Sequence, residues 1–142
     1  MGIQVEKSLE WPQWQEWQRT SQDSHLWTEG DYAIDHITWL DAVVRNSGWI
    51  DVLVNSADGY LDDVVGTLRA IGADETLGIL QRCMDRFPDG RPSNNAQERD
   101  RQIQALSRED RCSIDSLDEE YYSSTEDVCG MAVKYWRRCR KN

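Results

Sequence analysis

His25 and His36 are the chain's histidines. Neither stands in an H-x-x-x-H, H-E-x-x-H or H-x-E arrangement, which would set two metal ligands, or a ligand and a base, on one helical turn. His36 adjoins Asp35 and lies one turn from Leu40, which suits a partly exposed helix residue better than a catalytic base. No G-x-S-x-G elbow, phosphate-cradling glycine loop or dinucleotide fingerprint is present. Asp58, Asp62 and Asp63 invite a calcium reading, but the alternating ligands and closing glutamate of an EF-hand are missing. The same aspartates suit the solvated start of a helix, where the N-terminal dipole favours negative charge. A carboxylate pair for hydrolysis stays open among 26 acids, but nothing distinguishes one pair from another. The residues therefore point to no enzyme, no catalytic residue, no metal site and no cofactor.

What the side chains do offer is charge. The 26 acids outweigh 16 bases, giving a net charge of −10. Such a surface repels DNA, RNA and anionic membranes and attracts a basic partner. Solubility alone would account for the same balance. The distribution is uneven: residues 31–80 hold nine acids and two bases, residues 115–127 six acids and no base, and residues 134–141 five bases and no acid. Asp31, Asp35, Asp41, Asp51, Asp58, Asp62, Asp63, Asp74 and Glu75 make up the first group. Most are aspartates at or near expected helix starts, so short side chains hold the carboxylates close to the backbone. Proteins that grip DNA read phosphates mainly as charge and position. A rigid acidic face over residues 31–75 could therefore occupy a basic groove. A second candidate surface is aromatic: Trp11, Trp14 and Trp17 are three residues apart and share one broad helix face. That face either packs on the domain or contacts a partner.

These residues need a scaffold, and the apolar spacing supplies it. Ile34, Ile37, Leu40 and Val44 mark a helix from about residue 33, with Asp31 as its N-cap and Gly48 as its left-handed stop. A short helix over Trp49–Asn55 follows; Trp49–Val54 is also the one candidate strand. Leu61, Val64, Val65, Leu68 and Ile71 mark the next helix, closed by Gly72. Asp74 caps its successor, which carries Leu77, Leu80, Met84 and Phe87. The connection of about three residues favours an antiparallel hairpin. Ala96–Leu106 reads as a polar helix, and Ile114 to Tyr122 as a short one. Ser124 or Thr125 caps a last amphipathic helix bearing Val128, Met131, Ala132, Tyr135, Trp136 and Cys139, with bases near its end.

The expected fold class is all-α: a single multi-helix domain over residues 31–142 with antiparallel hairpins, preceded by a Trp-rich helical segment over residues 1–30. No apolar run approaches the roughly 20 residues of a membrane span. Glu6 and Glu10 occupy the place of a signal peptide's apolar stretch. A cytoplasmic location follows. It makes reduced thiols the default for Cys83, Cys112, Cys129 and Cys139, which form no C-x-x-C pair.

Several blocks in order resemble one known family. They are Trp49-Ile50-Asp51, Asn55-Ser56 and Gly59; Leu68-Arg69-Ala70-Ile71-Gly72-Ala73; Ile79-Leu80; Arg86-Phe87-Pro88-Asp89-Gly90; Leu117-Asp118-Glu119-Glu120-Tyr121-Tyr122; and Tyr135. Over roughly residues 33–142 they resemble the family of the DNA-mimic protein numbered nineteen. That family usually reads Asn-Gly-Gly-Phe where this chain has Asn46-Ser47-Gly48-Trp49, and Phe-Tyr where it has Tyr121-Tyr122. The resemblance implies an all-helical acidic monomer or homodimer, and for the prototype, binding to a transcription regulator in place of DNA. The expected function is thus a DNA-mimic inhibitor docking on the basic surface of a regulator or nuclease. The alternative is an immunity-type protein that neutralises a basic toxin by direct binding.

Overall fold

The computed structural model describes residues 11–56 and 59–141. Its elements are helices: α1 (Trp11–Thr20), α2 (Glu29–Ser47), α3 (Trp49–Asn55), α4 (Tyr60–Ile71), α5 (Asp74–Met84), α6 (Ala96–Ala105), α7 (Arg108–Ser123) and α8 (Val128–Lys141). Short 3-10 turns at Ser24–Leu26 and Pro88–Gly90 join them, and no strand occurs among the described residues. Trp49–Asn55 is helical, which settles the one strand candidate.

The long helix α2 is the spine of the fold. Its apolar stripe, Ile34, Ile37, Leu40 and Val44, is 0–1% exposed. α8 lies along it, α3, α4 and α7 also pack against it, and α5 bridges α4 and α7. The crossing of α2 and α8 is close because Gly30 has no side chain: a Cβ there would stand 2.7 Å from the Trp136 Cα. Among the described residues, Trp49 and Trp136 are the bulkiest fully buried side chains of the apolar core. α4 and α5 pack together across the two-residue link Gly72-Ala73. There Ala73 N–H donates to the Leu68 carbonyl and Gly72 N–H to that of Arg69, the paired bonds of a Schellman ending.

The helix ends differ from those read in the sequence. α2 begins at Glu29, capped by Thr28, and Asp31 sits at the third position as the other half of a capping box. α7 runs for 16 residues because Ser107 caps it ahead of Glu109 and Asp110. α8 is capped by Asp127, whose Oδ1 accepts from Gly130 N–H, rather than by Ser124 or Thr125. Asp74 lies inside α5 and does not cap it. Gly48 joins α2 to α3 at φ 91, ψ 175, a region outside the left-handed helical well and closed to other residues.

Candidate functional site

The carboxylates expected on one face divide into two kinds. Asp31 and Asp41 point inward, being 8% and 2% exposed, and are corrected from surface residues to structural ones. Asp31 Oδ1 accepts from Trp17 Nε1 (3.2 Å), Ser21 Oγ (2.8 Å) and Trp136 Nε1 (3.0 Å). Its Oδ2 accepts from Thr28 N (2.8 Å) and Thr28 Oγ1 (3.1 Å). One carboxylate thus ties α1, the start of α2 and the end of α8. Burial pushes its pKa up, but the Thr28, Ser21 and Trp136 donors outweigh this and hold it below the ordinary value. Asp41 accepts from Tyr121 Oη (2.5 Å) and Arg45 Nε (2.9 Å). Its burial wins over both partners and raises its pKa.

Two further acids serve helix starts far from them in sequence. Asp118 of α7 accepts from Trp49 N–H (2.9 Å) at the beginning of α3. Glu126 accepts from Glu75 N (3.0 Å), Thr76 N (2.9 Å) and Thr76 Oγ1 (2.7 Å), supplying the cap that α5 lacks in its own sequence.

The other expected carboxylates among the described residues lie toward the surface. Asp62, Asp63, Asp74 and Glu75 are exposed, and Asp35 and Asp51 half-buried. Asp35 comes together with the start of α4: Tyr60 Oη lies 3.5 Å from its Oδ2. Asp35 and Asp63 both stand close enough to His36 and Tyr60 to act on their protonation. Burial lowers the pKa of His36 against the pull of these two acids, and burial with the same acids raises that of Tyr60. His36 Nδ1 bonds Thr67 Oγ1 at 2.8 Å, so the ring ties α2 to α4. Asp62 pairs with Arg91 at 2.6 Å. Among the described residues, Asp35, Asp51, Asp63, Asp74 and Glu75 belong to no ion pair.

α4 has 12 residues and is therefore about 18 Å long. Asp62 and Asp63 mark one end of it, and Asp74 and Glu75 begin α5 beyond the other. Glu120 joins this second group across a shallow groove also lined by Ser123 and Ser124. Glu120 is paired with Arg82. The acid run over residues 115–127 was the signal for this extension, which lies beyond the 31–75 stretch. Asp58 and the Trp11 side chain lie outside the described residues.

Of the expected aromatic contacts, Trp17 is 7% exposed and belongs to the core, while Trp14 is half-buried against it. More of the aromatic surface comes from residues not singled out in the sequence. Ring contacts run from Trp14 through Trp17, Trp27, Tyr32 and His36 to Tyr60 and Trp39, with centroids 4.9–6.2 Å apart. No group of three or more His, Cys, Asp or Glu side chains among the described residues could hold a metal ion. No helix there is long and apolar enough to cross a membrane.

No curated protein and no solved structure matches the chain. A family model does: that of the DMP19-like proteins covers residues 26–142. The match starts at Leu26, ahead of the blocks that carried the resemblance, and takes in every helix from α2 to α8. With most of its length matched and all those helices included, the chain belongs to the DMP19-like protein family.

Proposed function

We propose that this protein acts by binding, occupying the basic DNA-reading surface of a regulator or nuclease in place of DNA. The observation that carries this reading is the pair of outward acidic groups at the two ends of α4. One holds Asp35, Asp62 and Asp63, the other Asp74 and Glu75, and only Asp62 has an ion-pair partner among the described residues. Proteins that read DNA hold phosphates on both sides of a groove roughly 12 Å wide. Anionic groups placed toward the two ends of a helix about 18 Å long are spaced on that order. Both are mounted on helices whose inner faces are locked into the core, so the charges are positioned before binding. Family membership supports the same reading.

The test is competition. Proteins retained by the immobilised chain at low salt and released at high salt are identified. Each DNA-binding protein among them is then bound to its own labelled DNA and titrated with the chain. The expected result is displacement of the DNA, weakening steeply with salt, and lost when Asp62, Asp63, Asp74 and Glu75 become Asn or Gln. A stable ternary complex with DNA, or salt-insensitive binding, would overturn the reading.

A further inference from the structure

Next to the Asp35–Asp63 group lies an open aromatic stripe. Tyr32 is 46% exposed, and Trp27, Trp39 and Tyr60 are half-buried. Trp27 meets Tyr32 edge-on at 5.0 Å, and Trp39 meets Tyr60 at 4.9 Å. Three aromatic rings elsewhere carry one of the chain's own arginines. Arg45 lies over Tyr121, Arg138 over Tyr135 and Arg140 over Trp136, at 4.8–5.7 Å. No such cation stands over Trp27, Tyr32, Trp39 or Tyr60 among the described residues. Neither Asp35 nor Asp63 has an ion-pair partner there.

We infer that the Trp27–Tyr32–Tyr60–Trp39 stripe with Asp35 and Asp63 is a docking surface for an arginine-bearing segment of the protein partner. The inference rests on the proposed binding of a basic protein and names the chemistry of one part of that contact. Charge complementarity sets the sign of the occupant, and the rings select arginine over lysine. A planar guanidinium lies flat on an aromatic face while its edge N–H groups reach a carboxylate; an ammonium is a hydrated point charge that gains less from the rings. The stripe does for a guanidinium from outside what Tyr121 and Asp41 do together for Arg45 within the fold.

The test titrates the full chain with nona-arginine and, separately, nona-lysine, following the indole N–H resonances. Arginine peptide is expected to bind at least fivefold more tightly and to move the Trp27 and Trp39 signals while leaving those of buried Trp49 and Trp136 in place. Tyr32→Leu keeps an apolar side chain without a π face, so it weakens the arginine peptide about two- to fivefold and the lysine peptide by less. Asp35→Asn with Asp63→Asn weakens both peptides. Asp74→Asn with Glu75→Gln removes the same charge at the other end of α4 and leaves the arginine preference intact. Equal affinity for the two peptides, or no effect of Tyr32→Leu, would overturn the docking surface and leave the acidic-surface reading standing. Failure of both peptides to bind at low salt would sink both.

Discussion

Asp31→Ala removes an acceptor that serves three parts of the chain at once. Trp17 and Trp136 are 7% and 1% exposed, so their indole N–H groups would have no water to turn to. An orphaned buried donor costs about 1–3 kcal/mol, and loss of the reciprocal partner of the Thr28 cap adds roughly 1 kcal/mol. Ser21 is only partly buried and can re-pair with solvent. Allowing for non-additivity, the loss should be about 3–5 kcal/mol, or on the order of 10–15 °C in Tm for a domain of this size. Urea unfolding followed by tryptophan fluorescence and far-UV circular dichroism measures it. The pH dependence has a definite sign. Because the folded carboxyl titrates below its unfolded value, its contribution is complete above that value and disappears as pH falls through the folded one. The gap between wild type and Asp31→Asn should therefore close in acid. A double-mutant cycle with Trp136→Phe should show coupling of about 1 kcal/mol or more. A loss below about 1 kcal/mol for Asp31→Ala, or strict additivity in the cycle, would refute the idea of a shared acceptor.

Asp41 has the opposite sign: burial raises its folded pKa, so its contribution is present in acid and declines as pH rises through the folded value. Asp41→Asn should remove that decline, seen as a flatter plot of urea midpoint against pH. Glu126→Ala should cost about 1–2 kcal/mol by uncapping α5, and Glu126→Gln, which keeps an acceptor oxygen, should recover most of it in the same unfolding assay. Gly48→Ala should cost at least about 2 kcal/mol. A Cβ there would collide with the Asp118 carboxylate, but its φ of 91 is hostile to any side chain by itself, so Asp118→Ala, which removes the collision, should rescue it only in part in the same unfolding assay. Among the described residues, Trp49 Nε1 is a buried N–H with no partner. Trp49→Phe gives up no hydrogen bond, so its cost in urea unfolding is that of the smaller ring alone and should stay within about 2 kcal/mol of wild type.

Much of the fold could be read from spacing alone. The stripes Ile34-Ile37-Leu40-Val44 and Leu61-Val64-Leu68-Ile71 are buried as their periods require, and Gly72 ends α4 where expected. What spacing could not reveal was the direction in which an acid points. Asp31 and Asp35 differ by one turn and look alike in the sequence. One is buried because its donors arrive from residues 14 and 105 positions away; the other faces Tyr60 at the surface. Thr28-x-x-Asp31 does carry the spacing of a capping box and could have moved the start of α2 forward. Glu126 had no comparable local sign, since the helix it caps begins 52 residues earlier, at Asp74. The aromatic stripe was equally hidden, because its rings come from the turn before α2, from α2 itself and from α4.

The trans caps bear on how this molecule can evolve. Asp118 and Glu126 neutralise the positive poles of α3 and α5, so part of the formal −10 is spent inside the architecture and does not reach a visitor. Selection for a different partner is free to redraw Asp35, Asp63, Asp74 and Glu75, whose removal leaves no helix uncapped. It cannot redraw Asp31, Asp118 or Glu126 without loosening joints between distant stretches of the chain. An alanine scan that treats every acid alike would merge these two classes, and rivets would be mistaken for bait.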